Sequence, residues 1–306
     1  MSQKVGGKVD ARDEMRRRTR RSFLVGGVAA AGGAVLWSWI AKSPEINGLP
    51  SPLRRAEQFN AVVSHRILGE GRMAPTFAVN EAVANVRVNG DLGINVDLNP
   101  NQWRLQLTGI ENPHAWNSFV PDVNAWDYEA SSSDDDKLEK SLSETHTSLG
   151  QTAQSSEKTE LREPGLLLAM DEIRTLPRVE MVTQLKCIEG WSEIVHWGGV
   201  RMRDFVEKYK PARTANGSSV KYVGLETPDG QYYVGLDLST AMHPQTLLCF
   251  EMNSQPLTPE HGAPLRLVTP LKYGIKHLKQ IGRISFTDQR PKDYWAENGY
   301  DWDSGH

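Results

Sequence analysis

An apolar run at Met181–Ile188 carries one thiol, Cys187, near its far end, and Glu189-Gly190-Trp191 follows at once. A short run of this kind specifies a strand, and Gly190 marks where its ladder can break. The chain must therefore fold so that a cysteine leaves a buried strand at a turn. From there it can face the mouth of a pocket. Thiolate is a soft ligand, suited to a soft or high-valent metal. A cysteine in such a run also serves as a small buried hydrophobe. Two other parts of the chain favour the ligand: its leader, and the residues after Cys187.

The chain has 306 residues, enough for one large domain or two smaller ones. With 39% hydrophobic and 24% charged residues it is an ordinary globular composition with a sizeable core. Residues 1–42 hold nine Lys and Arg against Asp10, Asp13 and Glu14, a net +6; with −3 overall, the remainder carries −9. A body that acidic lacks the basic footprint of a nucleic-acid binder. The two cysteines, Cys187 and Cys249, allow at most one bridge, so this is not a disulfide scaffold.

The leader contains Thr19-Arg20-Arg21-Ser22-Phe23-Leu24, followed by an uncharged Gly/Ala-rich run to Ala41. Paired Arg before a weakly apolar segment reads as a twin-arginine export signal. No small-x-small cleavage site is evident around Trp37-Ser38-Trp39. The run 23–41 is just long enough to span a bilayer, and both Trp suit an interface. An uncleaved inner-membrane anchor is therefore expected, with the body in the periplasm or cell envelope. The twin-arginine machinery exports folded proteins, often with a cofactor inserted.

The expected organisation is a signal or anchor at 1–42, then a linker and short helix (Leu53–Ser64) at 43–75. A catalytic body follows at 76–306, interrupted at 127–163 by a polar, acidic insertion. That insertion, with S-S-S-D-D-D at 131–136, has too little apolar area to offset its ordering entropy. Strands are expected at Trp103–Gly109, Val179–Ile188, Val220–Thr227, Gln231–Leu236, Leu247–Met252, Leu265–Val268 and Gly282–Thr287, with a weaker extended stretch at Asn85–Asn89. Helices are expected at Ala169–Leu176, Val200–Tyr209 and Leu238–Ala241. Strands outnumber helices without regular alternation, which is an α+β pattern and not a doubly wound parallel sheet.

Several motifs then occur in order: Leu176-Pro177, L-K-C-I-E-G-W-S at 185–192, W-x-G-V at 197–200, Y-V-G-L-E-T ending at Thr227, A-M-H-P-Q-T-L-L at 241–248, and H-G-A-P-L-R-L-V-T-P-L-K-Y-G-I-K-H-L-K-Q-I at 261–281. Together they resemble the sulfite-oxidase-like molybdopterin oxidoreductases, over roughly 164–295 and more weakly over 76–109. The resemblance implies a mixed-sheet molybdopterin-binding fold and a molybdenum–molybdopterin cofactor whose metal takes one thiolate, here Cys187. It also implies that Thr227, Arg266 and His277-Leu278-Lys279 hold the pterin and its phosphate, with Lys272 and Lys276 adding charge. Asn80 matches an Asn that contacts the cofactor. His261 stands where the methionine-sulfoxide-reductase branch has Asn; it can face the phosphate or be structural.

The function implied is oxygen-atom transfer, reducing methionine sulfoxide or another S/N-oxide. The alternatives are oxidation of sulfite or a similar oxyanion, and a non-catalytic envelope binding protein that has lost the metal. With no haem domain in the sequence, electrons must pass to a separate partner, such as a membrane haem protein or a cytochrome c.

Overall fold

The computed structural model describes residues 31–46, 49–68, 71–95, 98–126, 128, 162–214 and 217–306. The paired arginines at 20–21 and the acidic stretch 131–136 lie outside the described residues, as does the start of the 23–41 run. Two compact units divide at Val62/Val63. In the first, 31–41 is helical, and Glu45–Ile46 pairs antiparallel with Leu49–Pro50. The next helix, expected at 53–64, covers Ser51–Leu68 and crosses the boundary. Among the described residues, no helix is long and apolar enough to cross a membrane.

Within the second unit the described residues form two sheets. One has six strands: β1 (Leu105–Thr108), β2 (Phe119–Val120), β3 (Gly165–Leu168), β6 (Tyr222–Glu226), β7 (Tyr233–Asp237) and β11 (Arg283–Thr287), in the order β2-β3-β1-β11-β6-β7. Only β1 and β11 are parallel, Arg283 lying opposite Gln106, so the sheet is mixed. The other sheet is antiparallel. It contains β4 (Arg178–Lys186), β5 (Ser192–Arg201), β8 (Leu247–Met252), β9 (Gln255–Pro256) and β10 (Arg266–Val268), ordered β9-β8-β5-β4 with β10 also on β8. This is the α+β class that the strand-rich, irregular order implied, with the mixed sheet that the family resemblance implied.

β5 is the longest strand, yet the sequence points to a helix from Val200. Gly198-Gly199 weakens its strand signal, and burial of 195–200 removes the polar–apolar alternation. Those glycines are there because β8 runs close beside them: a Cβ on Gly199 would lie 2.3 Å from the Leu248 carbonyl oxygen. The helix itself is Met202–Tyr209, and Met202, Phe205, Val206 and Tyr209 are its buried face, the 3.6-residue spacing of an amphipathic helix. Truncating Phe205 to Ala would cost about 3–5 kcal/mol. Asn85–Asn89 forms no ladder, although Arg87 N–H donates to Glu193 Oε2.

Candidate functional site

β4 ends at Lys186, two residues earlier than expected, and Cys187 opens the hairpin to β5. Its N–H donates to Trp191 O at 2.9 Å, and Gly190 N–H donates back to Cys187 O at 3.2 Å. Gly190 has φ +89, a left-handed conformation that suits glycine, while the space around its Cα is open. Its role is thus to close the turn. Cys187 is half-buried and its thiol is free, as is that of Cys249. Glu189 Oε2 lies 3.8 Å from Cys187 Sγ and accepts from Trp191 Nε1 at 2.7 Å. Burial, and then the Glu189 carboxylate, push the thiol pKa up. A metal cation reverses that balance, because coordination deprotonates a thiol outright.

A second cluster gathers on β10 and the chain that returns beside it. Arg266 pairs in register with Cys249 of β8 and is fully buried. One guanidinium nitrogen, Nη1, donates to His261 O at 3.0 Å, and the group stacks 4.9 Å above the Trp197 ring. Its Nε and Nη2 are buried without partners. Burial lowers the Arg266 pKa to about 10. Lys279 Nζ donates to Gly90 O at 2.5 Å and Glu260 O at 3.0 Å, and burial, then Arg266, push it down to about 8. Among the described residues neither cation is in an ion pair.

His277 is also buried, and its Nε2 lies 3.0 Å from Thr269 O. A carbonyl only accepts, so Nε2 carries the proton and Nδ1 presents a lone pair, which has no partner. Burial and then Arg266 drive its pKa to about 3, so the ring is neutral. His261 Nε2 faces Val86 O at 3.1 Å, which leaves Nδ1 to accept from Thr258 Oγ1 at 2.9 Å. Burial chiefly lowers its pKa.

Other expected site residues are placed differently. Leu278 packs in the core, and its carbonyl accepts from Leu267 N–H at 2.8 Å. The Thr227 hydroxyl is engaged within its own turn, with Asp229 Oδ1 at 2.6 Å and Tyr232 N–H at 3.1 Å. Asn80 is exposed on a 3-10 turn, Val79–Glu81, whose approach pairs Thr76 with Thr183 of β4. Lys272 and Lys276 do not add free charge. Lys276 is buried, 2.5 Å from Asp293 and over the Trp302 ring, and Lys272 is paired with Asp303. Those partners lie far along the sequence, where no local pattern announces them.

The two clusters are joined by the segment Gly274–Lys276, which leads into His277. A Cβ on Gly274 would sit 3.4 Å from Lys186 O. Tyr232 donates to Ile275 O and lies within electrostatic reach of Cys187. Tyr232 and His306 belong to the site's surroundings but carry no motif of their own, and Trp197 opens the W-x-G-V motif, which does not by itself mark it as a site residue. Taken together, the residues offer unsatisfied guanidinium donors, a buried ammonium and a bare imidazole acceptor at one end. A thiol stands at the other. They fit an elongated ligand with an anionic oxygen-bearing end, a donor group and a thiophilic metal.

Residues 158–295 match the family described as "Oxidoreductase molybdopterin binding domain". The protein-methionine-sulfoxide reductase catalytic subunit MsrP of Campylobacter jejuni is 38% identical over 149 residues, 44% of this chain and 49% of that protein. MsrP of Xanthomonas campestris is 29% identical over 203 residues, 63% of this chain and 59% of that one. The chain thus spans about half the length of the curated relatives it matches. A solved structure, the sulfane dehydrogenase SoxCD of Paracoccus pantotrophus, covers 64% of this chain and 41% of its own at 15% identity and TM-score 0.42.

Proposed function

Through residues 158–295 the chain belongs to the molybdopterin-binding oxidoreductases of the sulfite-oxidase-like kind, and on that premise we propose that it transfers oxygen atoms at a Cys187-ligated molybdenum. The preferred substrate is methionine sulfoxide or another S/N-oxide, in keeping with the activity named for the MsrP relatives. Such a reduction takes two electrons and two protons and releases the sulfide and water. When bound, the cofactor would supply the redox-active metal for that oxygen-atom transfer. An oxidoreductase of this family is an enzyme, so the metal-free binding-protein reading has no support.

The observation that carries the proposal is the pair of buried cations, Arg266 and Lys279, that form no ion pair among the described residues. A cationic guanidinium with two idle donors is costly inside a protein unless an anion completes it. In the proposed arrangement Arg266 clamps the cofactor phosphate through Nε and Nη2, a fork suited to phosphate oxygens. Lys279 adds a second positive charge, held by the Gly90 and Glu260 carbonyls, and His261, its ring fixed on Val86 O, buttresses Arg266 through its main-chain carbonyl. His277 would offer its unpartnered Nδ1 to a donor group of the pterin. Leu278 would align that segment through its main chain, while Thr227 and Asn80 would join the cofactor's surroundings by motif position. Cys187 holds the metal at the hairpin, where Glu189 and Trp191 fix the loop.

Electrons would come from a separate membrane haem protein or a c-type cytochrome. Export by the twin-arginine route would place the enzyme in the periplasm, with 23–41 as its anchor. A second reading, oxidation of sulfite or a similar oxyanion, is favoured by Lys186, whose ammonium sits beside the thiol loop with no carboxylate partner among the described residues.

The test is turnover by protein matured in its own host, with reduced dye plus methionine sulfoxide against sulfite plus ferricyanide. Sulfoxide reduction is expected. Sulfite oxidation alone, by fully loaded enzyme, would overturn the sulfoxide reading in favour of the second.

A further inference from the structure

His306 lies close to the thiol hairpin, although it is far from Cys187 in sequence. Its Nδ1 is 3.3 Å from Lys186 Nζ, the residue before Cys187. Its ring packs edge-on against Tyr273, with centroids 5.0 Å apart, in the turn that leads to His277. Its main chain is fixed on both sides: N–H donates to Leu271 O at 3.3 Å, and its carbonyl accepts from Arg72 Nη1 at 3.0 Å. Lys272, three residues after Thr269, also bridges to Gly305. A side chain so anchored is held in one orientation.

The geometry decides which nitrogen bears the proton. An ammonium has three donors and no acceptor, so the imidazole nitrogen facing Lys186 must offer a lone pair. The proton therefore sits on Nε2. That N–H is buried and has no partner. Burial, followed by the field of Lys186, holds the ring pKa near 4, so the neutral tautomer persists at physiological pH. His277 lies close enough to feel His306 electrostatically. The unmet donor of His306 and the unmet acceptor of His277 thus flank the segment between the thiol and Arg266.

We propose that His306 is a positioning residue of the site, whose Nε2–H donates a hydrogen bond to an acceptor on the group bound between Cys187 and Arg266. This rests on the molybdopterin reading. The acceptor is an oxygen or nitrogen, provided either by the cofactor itself or by the oxygen of the substrate. Lys186 acts on it indirectly, by fixing the tautomer.

The test compares His306→Phe and His306→Gln with the unaltered holoenzyme. Gln keeps a donor; Phe keeps the ring packing against Tyr273 and loses the donor. If the acceptor is on the cofactor, Phe loses pterin during gel filtration several times faster, with Gln restoring retention. If it is on the substrate, pterin content is unchanged while KM for methionine sulfoxide rises about tenfold in Phe and recovers in Gln, as expected for ~1–2 kcal/mol of lost hydrogen bonding. Phe with unchanged pterin retention and unchanged KM would overturn the proposal. Ring 15N shifts of histidine-labelled, oxidised protein supply a second check that needs no variant. Nε2 of His306 should be protonated, with a shift that differs between cofactor-free and loaded protein. A protonated Nδ1, or a shift indifferent to loading, would refute it. Wild-type protein that carries neither molybdenum nor pterin would instead strike at the family assignment's cofactor chemistry.

Discussion

Replacing Arg266 by Met should uncouple cofactor binding from stability in an unusual direction. The fall of the Arg266 pKa from 12.5 to about 10 corresponds to roughly 3 kcal/mol of disfavoured charge in the cofactor-free protein. The group recovers about 1 kcal/mol from its bond to His261 O. Stacking over Trp197 returns about 1 kcal/mol more. Met fills similar volume without the charge. Cofactor-free Arg266→Met should therefore be more stable than cofactor-free wild type by about 1 kcal/mol, or roughly 2–4 °C in Tm for a unit of this size. The penalty applies at every pH below about 10, so the gain should be flat between pH 6 and 8. In molybdopterin-loaded preparations the order reverses, because binding stabilises only the protein that can hold the ligand. Thermal unfolding of both proteins, expressed with and without molybdopterin synthesis, reads both effects. A cofactor-free variant less stable than wild type by 2 kcal/mol or more, still stabilised by loading, would refute the reasoning.

Asp293→Asn leaves Lys276 as a buried cation; its single amide oxygen can keep the cap to Ala296 N–H, but the amide NH2 then replaces the oxygen that accepted from Gly235 N–H and Lys276, so urea unfolding should show a loss of about 3–5 kcal/mol. A loss below 1 kcal/mol would mean that Lys276 is not held by that pair. His277 supplies the pH test. Its folded pKa, near 3, lies below the unfolded value of about 6.5, so the unfolded chain binds the extra proton as pH falls between those values. The stability His277 contributes above pH 6.5 is thus lost on acidification, by about 2 kcal/mol at pH 5. In cofactor-free His277→Gln the drop in stability from pH 7.5 to pH 5 should shrink by that amount, and an unchanged drop would count against a buried neutral ring.

Much of the architecture was legible because local patterns matched the final elements. Leu238–Ala241 and Leu247–Met252 fall where the apolar pattern and turn residues put them, and Met202–Tyr209 has the spacing of a half-buried helix. β5 was not legible, since Gly198 and Gly199 exist for a neighbour's backbone and their fit appears only in the assembled sheet. The same limit applies to charge. A run with Lys272, Lys276 and Lys279 reads as three equivalent cations, whereas Asp303 and Asp293 claim two of them and leave Lys279 with carbonyls alone. Arg266 could be named from a motif, but its two idle nitrogens and its seat over Trp197 could not. His306 had no motif at all; only the approach of Lys186 and Tyr273 reveals it.

The most direct measurement is molybdenum K-edge absorption on enzyme matured in its own host, wild type beside Cys187→Ala. Loaded wild type should show one more sulfur in the metal's coordination shell than the variant, or the variant should fail to retain molybdenum. A fully loaded variant with the same sulfur count as wild type would contradict ligation by Cys187, and with it the central claim.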